Sequence, residues 1–140
     1  MSNEATLRVS LNIKTGSMDF RSSPTAFNAD VSQASQGSPG GMTVAVTGTD
    51  VDMSQITIPG FCWLQNLDPT NYVEYGIKDS ISGNFYPLGE LLPGECYLLR
   101  LSRYILQELA GTGTGIVASS TFHLKAAAAP CRCIVRVFEL

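Results

Sequence analysis

Short strand-like runs, each cut off by a turn signal, leave this chain little freedom of fold class. In Leu7-Arg8-Val9-Ser10-Leu11-Asn12-Ile13-Lys14, apolar and polar side chains alternate without an error. That is a strand with one face to bury and one to wet. Gly16 interrupts it, Met18 and Phe20 carry the apolar series on, and Phe27, Ala29 and Val31 extend it. Residues 32–41, Ser-Gln-Ala-Ser-Gln-Gly-Ser-Pro-Gly-Gly, hold almost nothing to bury and read as a linker loop. The expected organisation is therefore an N-terminal arm over 1–31, a linker over 32–41 and a sandwich over 42–140.

Past the linker the same grammar continues. Thr43–Thr47 is β-branched and stops at Gly48, and Ile56–Ile58 stops at Pro59-Gly60. Phe61–Leu67 is apolar on both faces until Asn66, as a central strand would be. Asp68-Pro69-Thr70-Asn71 supplies a turn. Val73, Tyr75 and Ile77 share one face of the next strand. Phe85–Leu88 contains Pro87, which places it at an edge. Pro93-Gly94 fits the centre of a type II turn. Cys96–Leu101, Thr121–Lys125 and Cys131–Phe138 complete the strands. One segment favours helix: Arg103–Ala110, about two turns, ending at Gly111. Turn signals every ten residues or so predict an all-β protein, an antiparallel β-sandwich of jelly-roll type with an extended arm and one short helix.

Composition narrows the function. With 140 residues the chain makes one ordinary core without staples. Charged residues are 15%, well below the roughly 25% of a typical soluble protein. Nine basic residues face twelve acidic ones, so no charge-driven nucleic-acid partner is expected. No apolar run approaches the roughly 18 residues of a membrane span, so no membrane partner is expected either. Met1–Ala5 lacks the basic and apolar regions of a secretory leader, which predicts synthesis in a cytosol. Cys62, Cys96, Cys131 and Cys133 then read as reduced thiols.

Chemistry-bearing patterns are sparse. His123 is the one histidine, and no G-x-S-x-G elbow accompanies it. Its parity, opposite to Phe122 and Leu124, predicts a partly exposed strand position. Cys131 and Cys133 point the same way on a strand, as two zinc ligands would, but burial as small apolar residues explains them as well. Asp50-Val51-Asp52 lacks the remaining ligands of a calcium loop. Gly111-Thr112-Gly113-Thr114-Gly115 has no phosphate-binding Lys-Ser/Thr. Glu90 and Glu95 flank the Pro93-Gly94 turn and read as turn solvation. Trp63, Tyr72 and Tyr75 suit a sugar-stacking platform, although their period-2 spacing fits core and cross-strand packing better. The expectation is a non-enzyme with no metal, no cofactor and no small-molecule substrate.

Trp63-Leu64-Gln65-Asn66-Leu67-Asp68-Pro69-Thr70-Asn71-Tyr72-Val73-Glu74-Tyr75-Gly76, with Phe85–Leu88, Leu92-Pro93-Gly94-Glu95 and Leu98–Leu101, resembles small virion proteins of tailed bacteriophages. It is most similar in pattern to the small jelly-roll cement, or decoration, proteins of phage heads, over residues 60–140. The resemblance implies a structural protein on the outer capsid surface, bound to the major capsid protein and to copies of itself as a homo-oligomer. A tail or neck component is the alternative it implies. A carbohydrate-binding sandwich is the rival from another class. Low charge density suits the first reading, because interface cores are depleted of Lys, Glu and Asp. Leu7, Val9, Leu11, Ile13, Met18 and Phe20 are the candidate interface residues. The Leu7–Lys14 backbone also needs a partner, supplied either by the chain's own sandwich or by a neighbouring chain through strand addition.

Overall fold

The alternation in the arm is realised as a hairpin. The computed structural model describes residues 5–29, 36–54, 56, 58–79, 81–102 and 120–139. The chain divides into two units, 1–32 and 33–140. In the first, β1 (Ala5–Val9) pairs with β4 (Thr25–Ala29), and β2 (Asn12–Thr15) pairs with β3 (Met18–Arg21). Together they form one ribbon that turns at Gly16-Ser17. The register slips between the two halves. Val9 faces Thr25, whereas the Ser22 amide donates to Leu11 O at 2.8 Å, so Ser23-Pro24 oppose the single residue Ser10. That is a β-bulge. The single strand expected over Leu7–Lys14 is therefore broken at Ser10–Leu11. Within the arm, β1 pairs with β4 and β2 with β3, so one edge of this backbone is partnered by the arm itself.

Among the described residues the second unit carries eight strands. They are β5 (Gln36–Val44), β6 (Thr49–Asp50), β7 (Pro59–Asn66), β8 (Val73–Asp79), β9 (Phe85–Leu91), β10 (Cys96–Arg100), β11 (Ser120–Ala126) and β12 (Cys131–Glu139). Two antiparallel sheets result, in the orders β10-β7-β12-β5 and β6-β11-β8-β9. The pairing is nested: first strand with last, second with seventh, third with sixth, fourth with fifth. Period-2 burial in β12 puts Cys131, Cys133, Val135 and Val137 inside. They meet Val44, Cys62 and Leu64 from the same sheet and Val73, Leu91, Phe122, Leu124 and Ala126 from the other, so the two sheets share one core. Val51, Met53, Ile56 and Leu101 join it from the connections.

Three sequence expectations are corrected here. Residues 36–41 are not linker: they are the first half of β5, with Gly37 opposite Val137 and Gly41 opposite Ile134. The β12 backbone supplies hydrogen-bond partners that no local pattern announces. Pro59-Gly60 does not end a strand but opens β7, where a proline at the first position loses no ladder bond. Trp63 is not core. Cys62, Leu64 and Asn66 face inward, so Trp63 lies on the outer side of its sheet, opposite Leu98 and Arg136, and is half-buried. There is no helix among the described residues; Arg103–Ala110 and the Gly111–Gly115 segment lie outside them.

Candidate functional site

The ribbon of the first unit sorts its side chains by face. In the outer half, Asn12, Lys14, Asp19 and Arg21 share one side, where the Arg21 guanidinium pairs with Asp19 at 3.1 Å. Leu11, Ile13, Met18 and Phe20 take the other side, with Ile13 directly opposite Phe20. In the inner half Leu7 stands opposite Phe27. A two-stranded ribbon has no second layer to cover such a face. Val9, Leu11, Met18 and Phe20 are each about half exposed, and Ile13 is 38% exposed. Leu7 differs: it is buried at 7%. Phe27, 45% exposed, takes its place on the open face. The hairpin register, which sequence alone does not reveal, is what brings it there.

A second site lies on the outer face of the β6-β11-β8-β9 sheet. Register aligns three cross-strand rows: Asp50, His123, Gly76 and Pro87; Thr121, Lys78 and Phe85; Lys125, Glu74 and Glu90. A cleft of about 420 Å³ opens among Thr47, Glu74, Lys78, Gly83, Asn84, Phe85, Pro87, His123 and Lys125. His123 was expected to be partly exposed on this face, and it is 2% exposed. Two neighbours cover it. The Phe85 ring lies 5.2 Å away, tilted by 57°. Gly48 closes the far edge with φ +96, and a Cβ there would stand 1.9 Å from His123 Nε2. Only glycine fits both that backbone and that contact.

His123 Nδ1 lies 2.6 Å from Asp50 Oδ1, and the Thr121 hydroxyl donates to the same oxygen at 3.0 Å. Partial burial pushes the Asp50 carboxyl up. The bonds from His123 and Thr121, with the Lys78 charge, outweigh it and hold the group below the ordinary aspartate value of 3.8. An ionised carboxylate only accepts, so Nδ1 carries the proton in this pair. Asp50 thus stabilises the fold when ionised, and the contribution disappears as pH falls through its lowered folded-state value. We expect the urea midpoint of Asp50→Asn to lie below that of the unchanged chain at neutral pH and to converge on it in acid, as pH falls through the lowered Asp50 value. A gap that persists unchanged in acid contradicts the bond from His123 to an ionised Asp50.

The remaining sequence candidates are structural. Asp68 Oδ1 accepts from the Thr70 and Asn71 amides at 2.8 and 2.6 Å, which holds its carboxyl below the usual range. Glu95 Oε2 accepts from the Leu92 amide at 2.9 Å and closes the Pro93-Gly94 turn. Asp52 accepts from the Ser54 amide. Burial pushes the Cys62 and Cys133 thiols up to about 12, so neither is a ready thiolate. Among the described residues, no three His, Cys, Asp or Glu side chains are placed to hold a metal ion. Trp63 and Tyr75 do not form a shared platform. Trp63 lies on the outer side of one sheet, whereas Tyr75 packs against the core from the other and over Gly89. Glu74, Lys78, Phe85, Pro87 and Lys125 were not singled out from sequence. The signal was present in the shared parity of Thr121, His123 and Lys125 and of Glu74, Gly76 and Lys78. The pairing that merges those sets was not.

Comparison of the chain with protein-family models, with curated proteins and with solved structures yields no match.

Proposed function

We propose that this chain is a structural virion protein, a capsid cement or decoration protein whose sandwich is a jelly roll. The nested pairing of eight strands into two four-stranded sheets supports the jelly-roll reading, since it is the pattern of a long hairpin wrapped into a sandwich. The observation that carries the function is the open apolar face of the arm. In water that face is a liability, and a protein surface keeps such a stripe where another molecule covers it. Burying each half-open side chain contributes on the order of 1 kcal/mol, so the stripe as a whole supplies several kcal/mol to an assembly. The partners are other copies of this chain and the major capsid protein at the outer surface of the shell. The protein performs no chemistry of its own, and adding contact area between shell subunits is its work.

The test is association of the full chain. The unchanged protein is expected to self-associate in sedimentation equilibrium and to bind purified shells at a fixed copy number. The double variant Ile13→Ser, Phe20→Ser keeps the circular dichroism of the sandwich. Losing about 2 kcal/mol of burial, it associates roughly 30-fold more weakly. A protein that stays monomeric at high concentration and leaves shells unbound overturns the proposal.

A further inference from the structure

We infer that the cleft over His123 is a binding site for a small organic acid, a monocarboxylate carried on an apolar body. This is a function separate from the arm. The lining divides by chemistry. Phe85 and Pro87 make an apolar wall, Lys78 and Lys125 bring two ammonium groups, and Glu74 brings one carboxylate. Asp50, bound to His123 on the floor, brings a second carboxylate, and the Lys78 charge already acts on it. Neither lysine has an ion pair within 4.0 Å among the described residues. A carboxylate entering the cleft gives both a charge-assisted partner.

The site is built rather than incidental. Gly83 and Asn84, which line one side, are held by Asp79, which accepts from the Ile81 amide at 2.9 Å, from the Ser82 hydroxyl, and from the Gly83 amide at 2.8 Å through its own carbonyl. The apolar wall is set by a bulge at Leu88, which lays the Tyr86–Pro87 backbone against Gly76. The floor is the His123–Asp50 pair, held between Phe85 and Gly48. A cleft with fixed walls does not have to order itself around a ligand. Its volume lies in the range of small-molecule sites. The lining sets two ammonium groups beside an apolar wall and one carboxylate, and the wall of Phe85 and Pro87 favours an anion with an apolar body over a bare phosphate.

Benzoate is the probe, with benzyl alcohol as its neutral counterpart and inorganic phosphate as the bare anion. His123 is the chain's one histidine, so its ring-proton resonances report on the cleft without ambiguity. Titration of the full chain with benzoate is expected to shift them saturably. Benzyl alcohol and phosphate are each expected to bind at least about tenfold more weakly. The double variant Lys78→Gln, Lys125→Gln is expected to keep the circular dichroism and melting cooperativity of the unchanged chain and to lose about tenfold or more in benzoate affinity. Absence of saturation overturns the site. Equal binding of benzyl alcohol, or an unchanged affinity in the lysine variant, overturns the role of charge. Equal binding of phosphate overturns the organic-acid assignment. Each result is independent of whether the arm mediates assembly.

Discussion

Replacing Asn66 by leucine is expected to cost about 4 kcal/mol, a large share of the 5–15 kcal/mol by which a domain of this kind is stable. Asn66 is fully buried at the end of β7. Its Nδ2 donates to Asn71 O at 2.8 Å and lies 3.2 and 3.3 Å from Leu91 O and Leu92 O. Its Oδ1 accepts from the Asp68 amide at 2.9 Å. One side chain thereby ties the β7–β8 turn to the end of β9. Leucine fills similar space but leaves these backbone groups without their partner, at about 1–3 kcal/mol for each one that stays buried. Asn66→Asp is expected to be worse at neutral pH, because it aims a carboxylate at carbonyl oxygens. Burial and those carbonyls raise the folded-state value of that carboxyl above its unfolded one. The damage is therefore least in acid and grows as pH rises through the carboxylate range. Urea melts of both variants check this. A loss below about 1 kcal/mol for Asn66→Leu contradicts the role of the network.

Gly76→Ala is expected to cost about 3 kcal/mol or more. Gly76 lies in β8, an interior strand of its sheet, between His123 on β11 and Pro87 on β9. A Cβ there would stand 2.1 Å from Tyr86 O and 2.8 Å from Pro87 Cα. These are backbone atoms, so no rotamer change relieves the clash; β9 must move off the sheet. The cleft wall moves with it, so the His123 ring resonances are expected to shift even at temperatures where the variant remains folded. Thermal melts read the first effect and one-dimensional proton spectra the second. A variant with the melting point and ring shifts of the unchanged protein shows that β9 does not lie against Gly76.

Much of the strand content was legible because burial on one face writes itself as alternation. Val73, Tyr75 and Ile77 do face the core, Cys131 and Cys133 are buried together, Phe85–Leu91 is an edge strand, and Phe61–Asn66 lies between two neighbours. Asp68-Pro69-Thr70-Asn71 is a turn because a side-chain carboxylate and a fixed φ act within four residues. The failures share a cause. Residues 36–41 carry no apolar pattern, yet they form a strand because β12 offers them an unpaired backbone edge. His123 has the parity of a wet face, yet it is covered because Phe85 and Gly48 arrive from distant parts of the chain. Trp63 is the largest apolar side chain in its run, yet register turns it outward.

From its sequence alone, the chain was bound to be an all-β protein with an amphipathic arm, since side-chain period and turn chemistry are local properties. Tertiary structure decided which strands pair, that the arm closes on itself, and that His123, Asp50, Lys78, Lys125 and Phe85 meet around one cleft. The reason is physical. Backbone hydrogen bonds and cross-strand contacts join residues tens of positions apart, and no nearest-neighbour pattern encodes their register.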